Sequence, residues 1–447
     1  MLTTQFDPFF KDAPPYLDIE TIRKEWLALK PPYDVNRWRL PLPVWALRAF
    51  EDSGPRAWEL LQSDLTHAEP TKPLCIYLHV PFCSSKCGFC DSYSFQLGGQ
   101  RESHIESYVE RLCYELRLWS KVGNLRSRPV STVHLGGGTP TFLGETGLAR
   151  LAQCCRECFA ITPATEWALE TTASSLTPSM ITAMHDLGFR RLHVGVQSLE
   201  DHVRRLIGRR SSPRVVLDKI EQTLAMGWIV SVDLICGLPG QTLNGFLDGI
   251  EHLISAGVNG FSLYELLIYP QNQRWAEQHS LVDRSHIPNY FMFQAGAWLL
   301  KMHGFGKNLF NHWADQRDAN VYFTFPMRGD DLLAIGTIAD GVFGEYHYRH
   351  PRYPDYMRAA HEGQPGLEGG LRRTPQENRI KPLMTAVLSS HIPADLLPAF
   401  QARISPDHVS LVERWFDSAL VQPAPDGGLE LTTNGVWFAG NMINELN

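Results

Sequence analysis

Residues 77–95 read YLHVPFCSSKCGFCDSYSF. An apolar, β-branched run enters a loop in which Cys83, Cys87 and Cys90 fall within eight residues, spaced CxxxCxxC. Thiolates this crowded point to metal chemistry. Structural zinc closes four ligands, usually from paired CxxC knuckles. Here there are three cysteines, and His79, the nearest fourth donor, sits on the predicted strand rather than in a knuckle. An iron–sulfur cube takes one thiolate per iron, so three cysteines leave one iron open to a substrate or cofactor. Three buried core cysteines fit poorly, because a polar, Gly-containing loop is not a core. The open cube is the preferred reading, with zinc as its rival.

A rhythm begins at this stretch. Strand candidates at 75–80, 131–136, 167–171, 191–196, 230–235 and 260–266 alternate with helical stretches such as 104–119, 146–159, 178–187, 213–226 and 243–256. Six alternations read as parallel βα units with right-handed crossovers. The expected fold class is α/β, a partial (β/α)6 barrel. In such folds chemistry gathers at the carboxyl ends of the strands. The cysteine loop follows the first strand and GGGTPT, 136–141, the second. Glu170 ends the third, Gln197 follows the fourth and Asp233 lies late in the fifth. Any one of these alone is a turn glycine or a satisfied polar group; together they point to one mouth.

Four regions are expected: an N-terminal helical extension at 1–72, the barrel at 73–305, an irregular substrate-side segment at 306–362, and a small winged-helix-like domain at 363–447. GQPGLEGG, 363–370, reads as a linker into that domain. The net charge of -7 argues against a general affinity for nucleic acid or anionic lipid. No apolar run reaches the ~18 residues that span a bilayer, and the N-terminus lacks the basic and apolar regions of a secretory signal. Nine cysteines, an odd number with three crowded together, suit reduced thiols in a cytoplasm better than a disulfide scaffold.

CxxxCxxC followed by GGGTP resembles the radical S-adenosylmethionine (SAM) superfamily. YLHVPFC, HLGGGTPT, GVQSLEDHVRRLIGRR and VDLICGLPGQT together resemble its HemN-like branch, typified by oxygen-independent coproporphyrinogen III dehydrogenase. The C-terminal segment resembles that family's C-terminal domain more loosely. The resemblance implies that Cys83, Cys87 and Cys90 hold a [4Fe–4S] cluster whose open iron chelates SAM. It also implies that Tyr77, Phe89, Gly137 and Glu170 contact this SAM. Gly138, Thr139, Gln197, Arg209, Asp233 and Leu267 match contacts to a second SAM. The implied chemistry is reductive cleavage of SAM to a 5′-deoxyadenosyl radical that abstracts hydrogen, with electrons from a flavodoxin- or ferredoxin-type donor. Tyr77, Glu170, Gln197 and Arg209 are the expected catalytic residues among these.

The dehydrogenase carries a further cysteine shortly after its third ligand, where this chain reads CDSYSF. Segments 311–322 and 330–348 resemble the methyltransferase and haem-utilisation members of the branch more than the dehydrogenase. The expected function is therefore SAM-derived methylene or methyl transfer, a methylation or cyclopropanation, to an sp² carbon of a conjugated or aromatic substrate. The alternatives are a tetrapyrrole-modifying enzyme, by oxidative decarboxylation or anaerobic haem ring opening, and a non-enzymatic haem chaperone. His312 and Tyr322 are the preferred substrate-side residues. Cys75, and the trio Cys154, Cys155 and Cys158, read as buried structural thiols.

Overall fold

The computed structural model describes residues 3–90, 92–99, 101–359, 363–404 and 408–446. The expected α/β partial barrel is present. Strands β1 (Leu74–Val80), β2 (Val130–Gly137), β3 (Glu166–Thr171), β4 (Arg191–Gln197), β5 (Ile229–Cys236) and β6 (Gly260–Glu265) lie side by side in chain order. All five pairings are parallel. Parallel strands need covered faces, so they read as nearly continuous apolar runs. Crossover helices, among them Gly144–Cys158, Pro178–Asp186, Pro213–Ala225 and Leu243–Ser255, supply the outer cover. Three start on side-chain caps that the sequence signals: Thr177, Ser212 and Thr242 accept from the amides of Met180, Val215 and Gly245.

The register aligns chemistry across the strands. Tyr77 lies opposite His134, Glu170 opposite His193, and Gly195 opposite Asp233. Asp233 in turn lies opposite Ser262. Because side chains alternate faces along a strand, these polar residues share the inner face of the barrel.

The segment 306–362 is not irregular. It adds β7 (Gly306–Leu309), β8 (His312–Ala314), β9 (Asp331–Ile335), β10 (Asp340–Phe343) and β11 (Tyr346–Arg349); residues 360–362 of that segment lie outside the described ones. β8 pairs antiparallel with β6 and brings His312 opposite Ser262. β9 returns to the other end of the sheet and pairs parallel with β1. The expected linker also contributes a strand, β12 (Gly369–Arg372), paired with β11. Strands of three to five residues are too short to show a period in sequence. Among the described residues the sheet has thirteen strands and stays open, ending at residues 52–53 and at β7.

Beyond β12, helix Pro375–Leu388 leads to a small three-stranded antiparallel sheet and the closing helices Thr433–Trp437 and Ala439–Asn444. The N-terminal extension forms helices Thr3–Phe10, Ile19–Ala28 and Gly54–Thr66. Its Phe6 and Trp26 pack edge-on against Phe291 of the barrel helix Ile287–Met302, with centroids 5.2 and 5.0 Å apart. Asn434 joins all three parts. Its Oδ1 accepts from Tyr290 and Gln294, and its Nδ2 donates to the carbonyl of Glu25 at 2.8 Å.

One carboxylate anchors β9 to the barrel. Asp331 accepts from Lys72 at 2.6 Å, from Arg128 at 2.9 Å and from the amide of Gly344 at 2.8 Å. Arg128 is fully buried, so removing its partner strands a charge. Asp331→Ala is expected to cost roughly 3–5 kcal/mol, read from the urea midpoint of the full chain. A loss below about 1 kcal/mol, the range of exposed ion pairs, would refute this anchoring role.

Candidate functional site

The cysteine loop closes on itself just past β1. The amide of Cys83 donates to the carbonyl of Phe95 at 3.1 Å, and that of Phe95 to Pro81 at 2.9 Å. The glycine loop after β2 is clamped beneath it. The amide of Gly138 donates to Val80 at 2.7 Å and that of Thr139 to Phe82 at 2.8 Å. A Cβ on Gly138 would stand 2.7 Å from the Phe82 carbonyl oxygen and 3.1 Å from Cys83 Sγ, so only glycine allows this approach. Thr139 Oγ1 lies 3.5 Å from Cys83 Sγ. From the other side Asn272 holds the loop: its Nδ2 donates to the carbonyls of Phe89 and Leu267, both at 2.9 Å.

The three thiols line a cavity of about 670 Å³ at the carboxyl ends of the strands. Phe89, Gly137, Gly138, Thr139, Glu170, Gln197, Arg209, Asp233 and Leu267 line the same cavity, so nine of the ten residues matched to SAM contacts meet there. Tyr77 is the exception. Its ring stacks on Tyr322 with centroids 5.1 Å apart, and its hydroxyl pairs with His79 Nδ1 at 3.0 Å. Tyr322 also stacks on His134 at 4.1 Å and is not among the residues lining the cavity. The expected catalytic Tyr77 and the expected substrate-side Tyr322 thus form an aromatic stack behind the wall. Leu40, from the N-terminal extension, reaches the cavity.

Charges in the cavity are arranged by burial. Glu170 Oε2 accepts from the amide of Gly137 at 3.0 Å, and Oε1 pairs with His134 Nε2 at 3.1 Å. Burial, with Glu170 adding repulsion, pushes the Asp233 carboxyl up to about 7. Gln197 sits in the left-handed region at φ +69°, after a register shift between Gly195 and Gln197. A Cβ on Gly195 would lie 2.9 Å from Gln197 Nε2 and 3.5 Å from Arg209 Nη2. Gly195 therefore makes the room in which both side chains fold over the strand. Buried Gln197 Oε1 and Arg209 Nε have no partner within the protein.

His312 is held rather than free. Its Nδ1 pairs with Ser262 Oγ at 2.8 Å and its Nε2 with Asp318 Oδ2 at 2.9 Å. It lines a second, inner pocket rather than the main cavity. His79 lies buried under Gly137, where burial lowers its ring to about 4. His347 pairs with Arg373, and His350 with Glu115; neither lines a cavity described here. Cys154 and Cys158 lie 4.0 Å apart on one buried helix face, and none of the nine cysteines forms a disulfide. Sequence reasoning missed Asn272, Gly195, Tyr264 and His193. His193 carried a signal, since it shares the inner face of β4 with Gly195 and Gln197.

A cluster fits these residues. The donors are three cysteines outside any disulfide, half-buried on a loop that opens onto a cavity. Unpaired polar atoms of Gln197 and Arg209 await a polar ligand beside them. Among the described residues no three His, Cys, Asp or Glu side chains gather around a single-ion point. A cube needs no such point, because each thiolate meets its own iron.

Residues 77–272, which carry the three thiols and most of the parallel barrel, match the family described as the Radical SAM superfamily. The chain is similar to proteins named anaerobilin synthase, coproporphyrinogen III oxidase (HemN) and haem chaperone HemW. It is 26% identical over 386 residues to the anaerobilin synthase of Escherichia coli O157:H7, covering 85% of each chain. It is 26% identical over 369 residues to the oxygen-independent coproporphyrinogen III oxidase of Escherichia coli K12, covering 78% of each. It is 32% identical over 203 residues to the haem chaperone HemW of Mycobacterium tuberculosis, spanning about half of that protein (51%). The solved structure of coproporphyrinogen III oxidase (HemN) from Escherichia coli superposes with a TM-score of 0.76 at 20% identity, over 92% of this chain and 99% of that one. It supports the fold. No helix among the described residues is long and apolar enough to cross a membrane.

Two outcomes test the site. Replacing Cys83, Cys87 or Cys90 by Ala is expected to abolish iron retention after anaerobic reconstitution. Iron contents above half of wild type in all three variants would remove the thiols from the site. Asp233 is neutral in the folded chain below about pH 7, whereas the unfolded chain ionises near 4. Its contribution to stability is therefore full below about pH 4 and lost as pH rises through about 7. In cluster-free protein, Asp233→Asn should gain stability over wild type between these values and hold that gain above them. A difference that stays flat with pH would show that the carboxyl is not buried against Glu170.

Proposed function

We propose that this chain is a radical SAM enzyme acting on a tetrapyrrole. The observation that carries the reading is similarity to anaerobilin synthase along 85% of both chains. That span extends well beyond the cluster loop. The names of the other relatives, a coproporphyrinogen oxidase and a haem chaperone, point to the same substrate class. Methylene or methyl transfer, the expectation drawn from sequence resemblance, has no named relative in its support among these proteins. Ring opening fits better than decarboxylation, since the stretch after Cys90 lacks the dehydrogenase's further cysteine.

Bound at this site, a [4Fe–4S] cluster and SAM would supply one-electron reduction of a sulfonium and a hydrogen-abstracting radical. Cys83, Cys87 and Cys90 would hold the cluster. The chain's own residues do the rest. Gly137 and Gly138 let the backbone approach a carboxylate closely. Glu170, oriented by the Gly137 amide, accepts from an amine or hydroxyl. Gln197, Arg209 and Asp233 form a second polar group on the same wall, in keeping with a second SAM. Phe89, with Arg209 over its ring at 5.9 Å, offers an aromatic face. The narrow polar wall keeps reactants positioned and limits water.

The test is anaerobic reconstitution with dithionite, methyl-labelled SAM and either haem or coproporphyrinogen III. The expected result is 5′-deoxyadenosine formed in step with loss of the intact macrocycle. Label in a product that keeps the macrocycle intact would restore the methyl-transfer reading. Stable haem binding without SAM cleavage would make the chain a chaperone instead.

A further inference from the structure

A second, smaller pocket shares one wall with the main cavity. Glu170, His193, Asp233 and Tyr264 line both spaces, and the inner pocket holds about 220 Å³. It is about a third of the size of the main cavity, room for one short substituent rather than a whole macrocycle.

Two polar groups in this pocket are prepared and unspent. His193 is 4% exposed, and its Nε2 lies 3.0 Å from Arg191 Nε. A guanidinium has only donors, so Nε2 must carry the lone pair. Burial, reinforced by Arg191, holds the ring well below its usual pKa, so it is neutral. Its one ring proton therefore sits on Nδ1, and no partner within the protein accepts it among the described hydrogen bonds. Arg191 is fixed in turn by Asp318 and by Ser231 Oγ at 3.1 Å. The second group is Asn320, 2% exposed and in the left-handed region at φ +47°. Its buried Oδ1 has no hydrogen-bond partner, although the residue lines the pocket.

The charges select what enters. The shared wall carries the carboxyl groups of Glu170 and Asp233. The nearby cation, Arg191, is balanced by Asp318 and lies 4.0 Å from Glu166. A carboxylate would face the Glu170 carboxylate, and an apolar group would leave His193 and Asn320 unpaired.

We propose that the inner pocket is a subsite for one short, uncharged, hydrogen-bonding arm of the substrate, held by His193 Nδ1–H and by the Asn320 amide. Arg191 is a positioning residue that sets the His193 tautomer. This assignment rests on the tetrapyrrole reading, because it describes where a peripheral arm of the ring goes.

The test is absorbance titration of the cluster-free full chain with two porphyrins. Haematoporphyrin IX carries 1-hydroxyethyl arms where protoporphyrin IX carries vinyl arms. Wild type is expected to bind haematoporphyrin about tenfold more tightly, one hydrogen-bonded arm's worth of discrimination. His193→Phe and Asn320→Leu should each erase that preference and leave the protoporphyrin Kd within about twofold. His193→Gln, which keeps an N–H donor, should retain it. Equal affinity of wild type for the two porphyrins, which needs no variant to read, overturns the subsite and leaves the tetrapyrrole reading standing. So does a preference that survives in both His193→Phe and Asn320→Leu. Wild type binding neither porphyrin overturns the tetrapyrrole reading itself, and the subsite with it.

Discussion

Two backbone hydrogen bonds organise this protein's chemistry. The amides of Gly138 and Thr139 donate to the carbonyls of Val80 and Phe82, tying the glycine loop to the root of the cysteine loop. Each bond is worth little alone, about 0.5–1.5 kcal/mol. Their importance is geometric. They extend the β1–β2 ladder past the strand ends, so the two loops that line the cavity share one rigid frame. Asn272 adds the third fixed point through Phe89 and Leu267, from the far side of the barrel. A loop rich in serine, lysine and glycine would otherwise have few contacts to hold three thiols apart at fixed distances.

Below that frame the barrel interior is unusually polar. Asp318 is buried with Arg191, Ser231 and His312 all turned toward it. Burial opposes its charge, but the bond from His312 and the proximity of Arg191 hold its carboxyl well below the usual range. Such a cluster is costly to desolvate and is weak evidence of stabilisation. Its value here is orientation. Arg191 Nε donates to His193 and Asp318 faces His312 Nε2, so His312 and His193 are left with one tautomer each and one direction to point. The aromatic stack of Tyr77, Tyr322 and His134 performs a parallel task beside it, filling the wall behind Glu170.

The flanking parts of the chain make the open barrel a closed unit. The N-terminal helices cover Phe291 with aromatic rings, and Trp38 packs against Trp437 of the C-terminal helices at 5.6 Å. Tyr33 donates to Glu445, which also accepts from Trp415 at 2.8 Å. These contacts carry the extension across to the cavity, where Leu40 meets the mouth. Access to the site is thus shaped by residues far from the cluster loop in sequence.

Much of the core was legible because local chemistry repeats at short range. CxxxCxxC, the glycine loop and the alternation of apolar runs with helical stretches all lie within windows where neighbours in sequence are neighbours in space. Glu170, Gln197 and Asp233 were legible for a related reason: a parallel barrel sends every strand end to the same face. The strands of 306–349 were not, since each is too short to show a period and gains its bonds from distant partners. Tyr77 and Tyr322 read as site residues by position, yet stacking turned both rings away from the cavity. The sequence by itself determined the barrel, the thiol loop and the side of the sheet on which chemistry gathers. Only the tertiary structure decided which polar groups are spent on one another and which, like His193 and Asn320, remain available. Hydrogen-bond satisfaction is settled between strands far apart in the chain, and no local pattern records it.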